Sequence, residues 1–184
     1  MATRPATKSE KHHKLDIGLT DEQRQGSAEL LNTVLADLHI IYVKSRNYHW
    51  NVIGPQFFGL HNLLEEQYTE LADAIDVVAE RVRMVGGRAL GTMAEFISTS
   101  RLEEKPEYVP NARDMIHDLL HDHELTIRNL RDDIKKADEE YEDATTADIL
   151  TQQAQIHEKA AWMLGSIVAD DHSLDAQEGK AKSR

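Results

Sequence analysis

The chain has 184 residues, with 33 acidic against 21 basic side chains and a formal net charge of −12. That length suits one domain with a sizeable core plus tails, and so acidic a body excludes nucleic-acid binding through its general surface. The absence of cysteine excludes disulfides and thiolate metal sites and fits a cytoplasmic protein. It leaves oxygen and imidazole ligands, which suit iron, manganese or zinc. No apolar run approaches the roughly 20 residues of a membrane span, and no apolar segment follows the N-terminal charges as a secretory signal requires. No membrane partner is expected.

Residues 1–20 are polar and aperiodic and are expected to form a disordered basic arm, in which residues 1–14 carry Arg4, Lys8, Lys11 and Lys14 against only Glu10. Thr20 or Asp21 can cap a first helix running to about Asn51, with Leu30, Leu31, Val34, Leu38, Ile41 and Ser45 on one side. Gly54-Pro55 ends it and starts a second, about Gln56 to Val85, whose stripe is Leu64, Tyr68, Leu71, Ile75, Val78 and Val82. Gly86-Gly87 closes that helix. A weakly periodic stretch, Met93 to Ser100, predicts a short extra helix. Pro106 and Pro110 lead into a third long helix, about Asn111 to Glu139, with Ile116, Leu120, His123, Ile127, Leu130 and Ile134 predicted as its buried side. A fourth, about Thr146 to Asp170, is predicted to bury Ile149, Ile156, Ala160, Leu164 and Ile167. The bundle is expected over 21–171, and 172–184 forms a polar tail with Lys180, Lys182 and Arg184. Four long amphipathic helices with a long second-to-third connection predict an all-α, ferritin-like four-helix bundle.

Chemistry concentrates between His49 and Glu80. His49 falls in the last turn of the first helix, and His61, Glu65, Asp76 and Glu80 lie on the second. At about 100° per residue those four fall at roughly 0°, 40°, 60° and 100°, one wedge bordering the apolar stripe. Glu65 and Asp76 are nevertheless ~16 Å apart along the axis, too far for a single metal centre. Either another helix of the same subunit supplies the missing ligands, or a second copy packs antiparallel across a two-fold axis. The second arrangement sets His61 and Glu65 of one chain against Asp76 and Glu80 of the other and makes two identical sites. It is preferred because the other helices offer no matching ligand set. The Glu-x-x-His pairs of larger di-iron bundles are missing; that spacing occurs only at Glu10–His13, in the arm.

Other candidates have plainer readings beside them. His117, His121 and Glu124 share a helix face that could hold an accessory metal, although an exposed polar face is the simpler reading. His123 sits on an apolar stripe as a hydrogen-bonded core or interface histidine, and His157 has no evident partner. His12-His13 lies in the arm and carries no assigned role. Trp50 and Trp162 are by default packing residues.

The sequence His-Trp-x-Val-x-Gly, five residues, then Leu-His-x-x-x-Glu (His49 to Glu65), followed by Ile-Asp-x-Val-Ala-Glu-Arg (Ile75 to Arg81), resembles the paired signature of the Dps family. These are ferritin-like mini-ferritins that protect DNA in starvation and oxidative stress. The resemblance implies a hollow homo-dodecamer of four-helix bundles with ferroxidase di-iron sites at two-fold interfaces. His49, His61 and Glu65 would come from one subunit, and Asp76 and Glu80 from its partner. Glu65 departs from the aspartate often found there, which bears on metal spacing, affinity and competition from zinc. The implied reaction oxidises ferrous iron with hydrogen peroxide, or oxygen, and stores ferric mineral on an acidic inner surface. Trp50 would lie close to the iron centre and take stray oxidising equivalents. Asp143 and Asp148 resemble acidic residues lining three-fold iron-entry pores; the plainer reading is a capping or helix-dipole role, and both can hold together. The rival function is a nucleoid-associated structural protein that grips DNA through Arg4, Lys8, Lys11 and Lys14, multiplied over the subunits.

Overall fold

A computed structural model describes residues 15–169. Within it the helices are α1 (Asp21–Asn51), α2 (Phe57–Met84), α3 (Met93–Thr99), α4 (Ala112–Glu139) and α5 (Ala144–Ala169). The basic arm residues Arg4, Lys8, Lys11 and Lys14, the His12-His13 pair and the tail from 170 lie outside the described residues. Among those described, no helix is long and apolar enough to cross a membrane.

Local chemistry sets the helix ends. Thr20 caps α1 in a reciprocal box: its hydroxyl accepts from the Gln23 backbone N–H, and the Gln23 side chain accepts from the Thr20 N–H. Gly54 (φ +118°) and Pro55 turn the chain between α1 and α2, and Gly86 (φ +91°) takes the left-handed conformation just past α2. The Asn111 side chain caps α4 by accepting from the Asp114 N–H. The short helix α3, in the long connection, begins at a Thr92 cap.

Two antiparallel hairpins, α1–α2 and α4–α5, pack into the expected four-helix bundle. Lys44 meets Asp122 while Tyr48 meets Asp118, so α1 and α4 run antiparallel. The core is closed by Leu31, Leu35, Leu38 and Ile41 of α1, Leu64 and Leu71 of α2, and the leucines of α4 and α5. On α4 and α5 the predicted stripes are buried in part: Ile116, His123, Leu130, Ala160 and Leu164 are enclosed. Leu120, Ile127, Ile134, Ile149, Ile156 and Ile167 are half-buried. The centre is taken by Leu119, His123, Thr126 and Leu130 of α4 with Leu150, Gln153, His157 and Leu164 of α5. The branched residues flank the hairpin seam, because polar groups that bond to each other across it can occupy its middle.

Three polar arrangements hold the connection and the seam. Asp37, fully buried on α1, accepts from the Ser100 hydroxyl, the Arg101 N–H and the Arg101 Nε, and the rest of that guanidinium forks onto Asp133 of α4 at 3.0 and 2.9 Å. His39 of α1 stacks on Phe96 of α3, ring centroids 3.7 Å apart. Nearer the end of α1, Lys44 pairs with Asp122 at 2.5 Å and Asp118 at 3.3 Å, and Asp118 also accepts from Tyr48 and from Lys105 of the connection. Tyr48 immediately precedes His49, so this buried cluster anchors the helix end that carries the first candidate ligand.

His123 and His157 meet in the seam with Nδ1 atoms 2.8 Å apart, one donating and one accepting, both fully enclosed. His123 is thus the hydrogen-bonded core histidine expected, and its partner is His157. Burial lowers both; it brings His123 down to about 4, and His157, also opposed by the His123 charge, goes well below the ordinary value. The unfolded chain takes up these protons near pH 6.5, whereas the folded chain refuses them down to about pH 4. Stability is therefore full above pH 6.5 and falls between 6.5 and 4, by on the order of 3 kcal/mol from His123 alone. Denaturant unfolding of the wild type and of a His123→Leu/His157→Leu double variant across pH 4–7 should give a clearly shallower acid slope for the variant.

Candidate metal centre

The end of α1 and the first turns of α2 bring three ligands together. His49 is the basic residue of the last turn of α1, and His61 and Glu65 stand one turn apart on α2. One atom from each of His49, His61 and Glu65 lies within 4.8 Å of the others, the sole such group among the described residues. His49 is buried, His61 half-buried and Glu65 exposed, so the trio opens from the hairpin onto the subunit surface.

The two imidazoles are locked by a crossed pair of hydrogen bonds. His49 Nδ1 donates to the His61 carbonyl at 2.8 Å, and His61 Nδ1 donates to the His49 carbonyl at 2.9 Å. The His49 carbonyl belongs to the last turn of α1, where intrahelical partners run out. A carbonyl can only accept, so each ring carries its hydrogen on Nδ1 and keeps the Nε2 lone pair for a metal. The rings stack at 3.7 Å and 20°, Phe57 stacks on His61 at 5.0 Å, and Tyr68 meets His49 edge-on at 5.2 Å. With two oriented imidazoles and a carboxylate open to solvent, the residues fit a borderline or hard divalent ion such as Fe²⁺, Mn²⁺ or Zn²⁺. Three protein ligands are too few for a pair of metals.

Asp76 and Glu80 do not join this group. Both are exposed on α2, further along its axis, and no intra-chain cation pairs with either among the described residues. Among the described residues, no other helix adds a ligand to the group. Trp50, next to His49 in sequence, points outward and is 64% exposed, with the Arg46 guanidinium 4.9 Å from its ring; Trp162 is exposed as well. His117, His121 and Glu124 are exposed on α4 and do not converge into a ligand group.

Asp143 takes the capping role. Its carboxylate is buried rather than presented to a pore: it caps α5 by accepting from the Thr146 N–H and hydroxyl, and it receives Arg81 Nη2 at 2.7 Å. Burial raises the carboxyl, but the bonds from Thr146 and the charge of Arg81 outweigh it and leave Asp143 below its ordinary value. Asp148 is exposed and holds only Gln152 of its own helix. Periodicity missed Arg81, Asp122 and Asp133 as buried charges. The available signal was a charged residue inside an apolar stripe, which needs an opposite charge from another helix.

With this geometry in hand, the likenesses become informative. The ferritin-like domain family matches residues 28–173. An uncharacterized low temperature-induced protein of Nostoc sp. is 48% identical over 155 residues, 84% of this chain and 87% of the relative. The DNA protection during starvation protein 2 of Bacillus anthracis is 38% identical over 136 residues, 74% of this chain and 92% of the relative. The solved structure of DpsC from Streptomyces coelicolor superposes with a TM-score of 0.83 at 31% identity, covering 90% of this chain and 96% of that one. The fold, with its histidine–carboxylate group, defines a ferritin-like helical bundle. Within that class the chain belongs to the Dps family.

Asp143, which caps α5, and Asp148 in its second turn separate structural from surface roles. Asp143→Ala should lower unfolding stability by roughly 3–5 kcal/mol, since it strands a buried guanidinium. Asp148→Asn should leave the denaturation midpoint where it was. Urea unfolding of the two variants beside wild type measures both.

Proposed function

We propose that this protein is a ferroxidase mini-ferritin that oxidises Fe²⁺ at centres shared between subunits and stores the ferric product. The observation that carries this reading is the group of His49, His61 and Glu65, with both imidazole Nε2 atoms released for a metal by the crossed carbonyl bonds. A chain that holds half a di-iron site and displays two unpaired carboxylates, Asp76 and Glu80, elsewhere on the same helix fits an isologous partner. Each copy would then supply what the other lacks. In the full assembly, a hollow dodecamer, every two-fold interface would hold two such centres.

Iron enters as substrate. The imidazoles fix its position, and Glu65 with Asp76 and Glu80 of the partner subunit stabilise the higher charge of the ferric state, as hard oxygen donors do. Two ferrous ions each surrender one electron to hydrogen peroxide, which takes up two protons and leaves as two waters, so no hydroxyl radical is released. Dioxygen is the alternative oxidant. Zinc and manganese compete for the same donors. Exposed Asp148 is assigned to iron entry, and Trp50 to intercepting oxidising equivalents beside His49. Removal of ferrous iron and peroxide together is the protective act, placed in the cytoplasm.

Complementation tests the shared centre. A variant lacking His61 and Glu65, and another lacking Asp76 and Glu80, should each oxidise iron at under about a tenth of the wild-type rate with peroxide, following the usual cost of lost ligands. Reassembled as mixed cages they should regain a substantial fraction, because some interfaces then pair two intact halves. Confirmed mixed cages with no recovery would exclude a shared site.

A second reading rests on the basic arm. Arg4, Lys8, Lys11 and Lys14 from many subunits would contact DNA together and associate the cage with the nucleoid, although the acidic body repels phosphate. In a gel shift at low salt, full-length protein should retard DNA, and the retardation should vanish at moderate salt and on deletion of residues 1–14. Ferroxidase activity should be unaffected by that deletion. A truncated cage that still retards DNA would move binding away from the arm.

A further inference from the structure

The buried cations among the described residues have acids beside them: Lys44 has Asp118 and Asp122, Arg81 has Asp143, and Arg24 has Asp21. Arg46 does not. It is half-buried on α1, one turn before His49, and among the described residues it forms no salt bridge. Its guanidinium lies instead against aromatic rings, 4.9 Å from Trp50, 5.4 Å from Tyr68 and 5.6 Å from Tyr42. It donates one hydrogen bond, from Nη1 to the Tyr42 hydroxyl, and its buried Nε has no acceptor. Tyr68 also rests edge-on against the His49 imidazole at 5.2 Å, so one ring touches both the unpaired cation and a candidate metal ligand.

The chain carries the complementary charge out of Arg46's reach. Tyr42 faces Tyr68 across the α1–α2 hairpin, which sets Arg46 level with about Leu64. Asp76 then lies roughly 18 Å further along α2. Asp76 and Glu80 are exposed and unpaired among the described residues. An antiparallel second copy brings those two acids to the level of His61 and Glu65, and so to the level of Arg46.

We propose that Arg46 is the resident counter-cation of the metal-free centre, pairing across the two-fold interface with the carboxylates of Asp76 and Glu80 of the partner subunit. This rests on the shared-site reading above. Without metal, those two acids and Glu65 put three negative charges into one small site, where they repel. A fork-shaped cation at its edge offsets that repulsion and holds the copies together. Two divalent ions over-compensate the same charge, so loading must release the guanidinium. The rings of Tyr42, Tyr68 and Trp50 give it a place to withdraw to, as cation–π contact suits a planar, weakly hydrated cation. Arg46 is thus a positioning residue that sets how much metal is needed to fill the site.

Zinc, which binds without redox chemistry, tests this. Metal-free wild type, Arg46→Met and Arg46→Lys would be titrated with Zn²⁺ by calorimetry, and their metal-free assemblies followed by sedimentation as salt is raised. Methionine keeps the apolar stem over the rings and deletes the charge. Arg46→Met should bind zinc roughly tenfold tighter, as removal of one nearby cation predicts, while its metal-free assembly dissociates at lower salt. Zinc should restore that assembly, and Arg46→Lys should stay close to wild type in both measurements. Arg46→Gln, polar and smaller, repeats the test should the methionine variant lose helical signal. Wild-type zinc affinity with wild-type metal-free assembly in the neutral variants would overturn the proposal, as would a lysine variant that behaves like methionine. An Asp76→Asn/Glu80→Gln protein that binds zinc like wild type would instead overturn the shared site itself.

Discussion

The crossed hydrogen bonds between His49 and His61 are the constraint on which the centre depends. They join the end of α1 to the start of α2 through two side-chain-to-backbone bonds, near 2.8 and 2.9 Å. The same bonds do two things at once. They satisfy a carbonyl in the last turn of α1, where the intrahelical ladder has ended, and they fix the tautomer that presents both Nε2 atoms. Glu65, one turn beyond His61, then falls within ligand distance because of helical geometry alone. The α1–α2 hairpin is thus a structural joint and the frame of a candidate metal-binding group made of the same atoms.

The rest of the subunit holds that joint in place with buried charge. Lys44 and Tyr48, within a turn and a half of His49, are tied to Asp118 and Asp122 of α4, and Lys105 brings the long connection to the same cluster. Arg101 ties Asp37 of α1 to Asp133 of α4 further along. Such pairs add little net stability over apolar packing of equal volume, but breaking one strands its partner. Their consequence here is register: each pair is satisfied only when α1 and α4 sit at one axial offset.

The surface is strongly acidic while the interior pairs its charges. Asp76, Glu80 and Glu65 are exposed without cations among the described residues, and Arg46 is half-buried without an acid. Trp50, Ile53, Phe57 and Phe58 are exposed around the α1–α2 turn. The α1–α2 turn thus sets uncovered apolar side chains beside the histidine–carboxylate group.

Much of this was legible in the sequence for a physical reason. A helix repeats every 3.6 residues, so positions and ends of the four long helices, the capping Thr20, the Gly54-Pro55 break and the common face of His61 and Glu65 all follow from spacing along the chain. So did the axial gap that separates Asp76 and Glu80 from that pair. Spacing contains no information about lateral distance between helices, and there the tertiary structure decided. It buried Asp143 against Arg81, set His157 against His123 in the middle of the α4–α5 seam with Ile127, Ile134, Ile149 and Ile156 only half-buried, and left His117, His121 and Glu124 as separate surface groups. It also brought His49 onto His61 across the turn and left Arg46 among aromatic rings. Each of these outcomes depends on which side chain another helix offers at the same height, and only the packed bundle supplies that.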